Sequence, residues 1–158
     1  MRLLLIIPIM IIIFFDYLSK IYVKQILLEN KYYILNDYIY LEKFYNKGIA
    51  FSLFDSDSLI LNYILLIIIS MIIIYLIYIF SRDIHSSSKL LLLSYVLIIG
   101  GALGNYIDRI INGSIFDFII VHYGNFYFPA VFNIADASIS IGAILFITSY
   151  FKSDGLND

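Results

Sequence analysis

Between Asp57 and Arg82 the chain carries no charged side chain. The run 58–81 exceeds the ~20 predominantly apolar residues that a helix needs to cross hydrocarbon. Three further segments approach that length, 3–24, 89–111 and 133–151, and each is interrupted by polar residues near one end. The uncharged stretch 3–15 is too short to span, so the first helix must continue through Asp16 and Lys20. In the third, 90–107 just reaches, with Asp108 and Arg109 at its end. The fourth, 137–151, falls short unless Asn133 and Asp136 are drawn in. The expected fold is therefore a membrane all-α protein: a four-transmembrane-helix bundle forming one integral domain over 1–158. Regions 25–57 and 112–132 join the helices on one side. Arg2 followed by an apolar run imitates a signal peptide, but no small-x-small cleavage site follows, and the segment reads as a retained first span.

Composition closes off other classes. Hydrophobic residues make up 62% of the chain and charged residues 14%, against ~25% charged in soluble domains. A net charge of −2 with no basic stretch excludes nucleic acid as a partner. With no cysteine there is no disulfide, thiolate catalysis or Cys-ligated metal. His85 and His122 stand far apart in sequence, and neither a metal site nor a cofactor is expected.

Consecutive spans alternate in direction, so the ends of the first and third and the start of the fourth lie at one membrane face. Asp16, Asp108 and Asp136 are thereby collected on the side of the 112–132 segment, which holds Asp117. Ionisable groups in or beside hydrocarbon are costly enough to be read as functional by default. Absolute orientation is nearly balanced: Arg2, Arg82, Lys89 and Lys152 oppose Lys24, Lys31, Lys43 and Lys47. Loop lengths favour cytoplasmic termini and an extracytoplasmic 25–57. Within that region Tyr32–Leu35 and Tyr38–Leu41 flank the turn-prone Asn36 and Asp37, which suggests a small sheet on the membrane. The aromatic stretch 126–132, containing Pro129, reads as an interfacial re-entry, after which Asn133 can cap the fourth helix.

Asp117 and Asp136 are the candidate catalytic pair. Two carboxylates sharing a site cannot both ionise, so one keeps a proton for a leaving group while the other activates water. The plainer alternatives are a loop carboxylate at Asp117 and a dipole-favouring acid in the first turn at Asp136. Asn105, Asp108 and Arg109 share a helix face, with Gly100 and Gly104 offering a small-residue surface for close packing. Asp108 reads as a structural tie. Arg109 could anchor an anionic headgroup or orient a carboxylate, and both readings stay open. Asp16 and Lys20, spaced i,i+4, can pair, and Gly48 permits a bend or a close approach. Asn46 and Asn133 are suited to gripping an extended peptide. A proton-coupled transporter would instead expect charges at mid-bilayer and internal repeats, and a scaffold would expect polar groups that all pair off.

Five segments in order, 16–20, 46–51, 101–109, 116–118 and 132–136, closely resemble the lipoprotein signal peptidases, the signal peptidase II family. Singly these motifs are weak, whereas five in sequence are specific. The resemblance implies a multi-pass aspartic endopeptidase of the bacterial inner membrane, and a monomer without cofactor is expected. It would cut signal peptides from diacylglyceryl-modified prolipoproteins near the extracytoplasmic face. Asp117 and Asp136 would be its dyad. Asp16, Lys20, Asn46, Gly48, Ala50, Asn105, Arg109, Asn133 and Ala135 would support site and substrate, and Gly101, Gly104 and Asp108 would be structural. Tyr17 and Ser19 stand where Gln and Thr are usual in the family, and Ile49 stands where a small residue is usual.

Overall fold

A computed structural model describes residues 2–28, 31–48, 59–83 and 88–154. Ile49, Ala50 and His85 lie outside these residues. Four helices, α1 (Arg2–Ile26), α2 (Leu59–Asp83), α3 (Lys89–Asn112) and α4 (Ile134–Asp154), are joined by four strands. The strands are β1 (Tyr32–Asn36), β2 (Ile39–Asn46), β3 (Ile115–Tyr123) and β4 (Phe126–Tyr127). All four helices are long and apolar enough to cross a membrane, over Leu5–Ile26, Ile60–Asp83, Lys89–Asn112 and Ile134–Lys152. Each expected span is thus present, one to three residues longer at its far end.

The bundle is built around α3, which packs most extensively against α4, then α1, then α2. Its start is capped by Ser88, whose hydroxyl accepts from the Leu91 amide at 3.2 Å. Its end is closed by Gly113 in the left-handed region at φ 70°, donating to the Arg109 carbonyl. Tyr95, Val96 and Ile99 of α3 form a core with Ile9 and Phe80, while the outer faces of α1, α2 and α4 leave their large apolar side chains to lipid. Glycines allow α3 its closest approaches. A Cβ on Gly104 would stand 2.9 Å from a carboxylate oxygen of Asp16 and 3.4 Å from the Ala135 Cβ, and one on Gly101 would collide with the Ala135 carbonyl.

The strands form one antiparallel sheet in the order β1-β2-β3-β4. Asn36 makes the expected turn: its side-chain oxygen accepts from the amides of Tyr38 and Ile39 at 2.8 and 2.9 Å. One expectation for 112–132 is corrected. The segment around Asp117 is not a loop but β3, an inner strand paired with β2 in a register that sets Tyr40 opposite Ile120 and Phe44 opposite Asp117. The stretch 126–132 begins as β4 against His122 and Tyr123 and ends where Phe132 bridges Ile119. Backbone groups that would otherwise be unpaired at the membrane are satisfied by the sheet. Phe116, Phe118 and Leu41 pack onto Val23 and Leu27, seating the sheet on the last turns of α1.

Candidate active site

Along β3, Phe116 and Phe118 face the α1 seat, so pleating turns Asp117 to the opposite side. There its carboxylate is 2% exposed. Two amides hold it: Asn46, the last residue of β2, donates Nδ2 to Oδ2 at 3.3 Å, and Asn133 donates Nδ2 to Oδ1 at 2.7 Å. Burial, followed by the nearby Asp136 carboxylate, raises the proton affinity of Asp117. The two amides and Lys20 pull it down, and the balance is pushed up to about 7.

Asp136 stands in the first turn of α4, where the helix dipole favours negative charge. It forms a reciprocal cap with Asn133: the Asp136 amide donates to Asn133 Oδ1 at 2.9 Å, and the Asn133 amide donates to Asp136 Oδ2 at 3.1 Å. Asn105 Nδ2 donates to the remaining oxygen, Oδ1, at 2.7 Å. Asn133 is therefore bonded to both carboxylates, through its side chain to one and its backbone to the other. Its Nδ2 also reaches Asn105 Oδ1 at 3.0 Å, and the residue is fully buried.

Behind this layer lies a charged one. Lys20 Nζ is 2.8 Å from Asp16 Oδ2, 3.4 Å from Asp108 Oδ2 and 3.2 Å from Asn105 Oδ1. Because Asn105 Oδ1 accepts from both Lys20 and Asn133, the NH2 end of its amide is turned to Asp136. Asp16 Oδ1 accepts the Ala135 amide at 2.9 Å, fixing the start of α4 against α1. Asp108 accepts the Phe116 amide at 2.8 Å and Asn112 Nδ2 at 2.6 Å, so it ties α3 to the strand that carries Asp117. Arg109, 2% exposed, donates to the carbonyls of Lys47, at 3.0 Å, and of Gly48. Its fork thus clamps the backbone that leaves β2.

Asp117 and Asp136 open onto one cavity of about 730 Å³. Asn46, Asn105 and Arg109 line its polar end, and it continues past Ala102, Ile139 and Ile141 along α3 and α4, with Ile69 of α2 on the far wall. Sequence reasoning passed over Tyr106 and Ser140 as lining residues. The spacing of Ala102, Asn105, Tyr106 and Arg109, i, i+3, i+4, i+7, is the signal that could have found Tyr106. His122 stacks on the Tyr127 ring with centroids 5.3 Å apart, away from the carboxylates' partners. Among the described residues no group of three or more His, Asp and Glu side chains is arranged to hold a metal ion.

Fold and site together define a multi-pass membrane protein with a buried carboxylate pair at the head of a largely apolar cleft. A family model described as signal peptidase (SPase) II matches residues 8–152. The chain belongs to that family, whose members are membrane aspartic peptidases. It is 36% identical over 145 residues to the lipoprotein signal peptidase of Janthinobacterium sp. (strain Marseille), covering 92% of this chain and 86% of that protein. It is 33% identical over 144 residues to the lipoprotein signal peptidase of Listeria welshimeri, covering 90% of each. A solved bacterial membrane enzyme, determined by the in meso method at 2.3 Å resolution, superposes with a TM-score of 0.79 at 28% identity. That superposition covers 98% of this chain and 91% of the solved one.

Proposed function

We propose that this peptidase removes the signal peptide from diacylglyceryl-modified prolipoproteins, with Asp117 and Asp136 as its two catalytic groups. One observation carries the reading. Asn133 donates to Asp117 through its side chain and to Asp136 through its backbone, so one buried residue holds both carboxylates on the wall of one cleft. Burial pushes the proton affinity of Asp117 up to about 7, well above the ordinary carboxylate range, while Asp136 accepts N–H groups of Asn105 and Asn133 at the start of α4.

The division of labour follows. Asp136 takes a proton from water as the water oxygen attacks the scissile carbonyl carbon, and Asp117 gives its proton to the carbonyl oxygen. In the second step the proton on Asp136 passes to the leaving nitrogen, the C–N bond breaks, and a hydroxyl of the diol returns its proton to Asp117. Asn46, Asn105 and Asn133 orient the two acids. Arg109 steadies the chain that leaves β2, and the apolar length of the cleft suits a signal peptide. The active unit is the single chain, since both carboxylates and every donor named here come from one copy. The site faces the extracytoplasmic side, with both termini in the cytoplasm.

Asp117→Asn and Asp136→Asn each keep the shape and remove the acid. Each should abolish processing of a lipidated prolipoprotein in proteoliposomes while the variant still elutes as folded protein in detergent. Near-normal processing by either would end the assignment. Orientation is tested separately, because the chain has no cysteine of its own. A cysteine at Lys43 should react with an impermeant maleimide in intact cells and one at Ser88 should not; the reverse pattern would invert the topology.

A further inference from the structure

Ser70 of α2 and Tyr106 of α3 meet with their hydroxyl oxygens 2.6 Å apart. The direction of this bond can be deduced. A serine hydroxyl has one proton, and Ser70 already donates it to the Leu66 carbonyl at 2.7 Å. In the Ser70–Tyr106 contact the phenol must therefore be the donor. Its only proton is thereby used, and what Tyr106 Oη has left to offer is acceptor capacity. Tyr106 lines the cavity beside Asn105, the residue that holds Asp136.

A peptide entering the cleft brings backbone N–H groups that cost free energy unless an acceptor meets them. Two of the amide oxygens beside the carboxylates are occupied: Asn105 Oδ1 accepts from Lys20 and Asn133, and Asn133 Oδ1 accepts from the Asp136 amide. Much of the remaining wall, with Ala102, Ile139 and Ile141, is hydrocarbon. We infer that Tyr106 Oη accepts a backbone N–H of the bound signal peptide, and that Ser70 is the positioning residue that turns the phenol proton away to expose that acceptor. Tyr106 is then a substrate-binding residue recognising main chain rather than side chain, so its contribution is the same for signal peptides of different sequence. This rests on the proposed reaction and deepens it.

The test uses the full chain in nanodiscs with a synthetic lipidated substrate. Tyr106→Phe keeps the ring and loses the oxygen. A single neutral hydrogen bond predicts a KM raised about five-fold with kcat within about two-fold. Ser70→Ala should raise KM by a smaller factor, and the double variant should be no worse than Tyr106→Phe alone, because both changes act on one bond. A substrate in which one signal-peptide amide is replaced by an ester lacks the N–H. At one position this should raise KM for the unaltered chain about five-fold and leave KM for Tyr106→Phe unchanged. The inference is overturned if Tyr106→Phe has an unaltered KM, or if the ester substitution affects both proteins equally. A lowered Tm in Tyr106→Phe and Ser70→Ala with no change in KM would likewise overturn it, reducing the pair to a tie between α2 and α3. Failure of the unaltered chain to cleave the lipidated substrate would refute the reaction itself along with this inference.

Discussion

Replacing Asn133 by alanine removes four side-chain contacts at once: the cap on the Asp136 amide at 2.9 Å, the bond to Asp117 at 2.7 Å, the bond to Asn105 at 3.0 Å and a long one to the Phe116 carbonyl at 3.5 Å. Loss of the cap costs about 1 kcal/mol, and loss of a hydrogen bond to a buried carboxylate about 1.5–3 kcal/mol. The variant should therefore lose roughly 2.5–4 kcal/mol of stability. If about 2 kcal/mol of the Asp117 contribution is felt in the transition state, kcat/KM falls about 30-fold. Asn133→Ser separates the two effects, because a serine hydroxyl can still cap α4 but is too short to reach Asp117. Its stability should recover by about 1 kcal/mol while its rate stays low. The assay is cleavage of a lipidated prolipoprotein followed by gel shift, with thermal unfolding in the same detergent. The pH profile adds a sign. Asn133 is one of the groups that lower the proton affinity of Asp117, so both variants should move the alkaline limb of activity to higher pH. The reasoning is refuted if Asn133→Ser regains the rate, or if Asn133→Ala slows cleavage less than about three-fold.

In the unaltered chain, activity should fall as pH rises above about 7, where Asp117 gives up the proton it must donate; a profile flat to alkaline pH would contradict this. The same shift has a stability sign. Asp117 binds its proton more tightly folded than unfolded, so its contribution is fully present below the ordinary carboxylate range and is lost as pH rises to about 7. Asp117→Asn should flatten that stretch of a Tm-versus-pH curve and raise Tm at neutral pH. Gly104→Ala places a Cβ 2.9 Å from an Asp16 oxygen. Asp16 is held by Lys20 and the Ala135 amide and cannot retreat, so a loss of about 1–3 kcal/mol is expected, read as a lower Tm. Lys20→Met leaves Asp16 and Asp108 buried without their cation. It should cost about 3–5 kcal/mol, measured by thermal unfolding, and an unchanged Tm would show that the cluster is not held by charge.

The spans were legible because a long apolar run has few other folded outcomes, and alternation of direction alone brings Asp16, Asp108 and Asp136 to one face. The Asn36 turn and the Asn133 cap were legible too, since both act on backbone within three residues. The strand carrying Asp117 was not. Phe116, Asp117 and Phe118 are all buried, so the alternation that marks a half-exposed strand is missing, and the pairing partner β2 lies some seventy residues earlier in the chain. Arg109 had two open readings because its target is a pair of backbone carbonyls, which have no sequence signature. Ser70 and Tyr106 are individually unremarkable, and only the packing of α2 on α3 brings them together.

The central claim is that Asp117 and Asp136 act on one substrate atom, and a bound transition-state mimic addresses it most directly. A peptide carrying a secondary alcohol in place of the scissile carbonyl should bind in the cleft with its hydroxyl oxygen within about 3.2 Å of a carboxylate oxygen of each residue. A crystal structure with that hydroxyl contacting only one of the two, or with the carboxylates turned apart around it, would contradict the account.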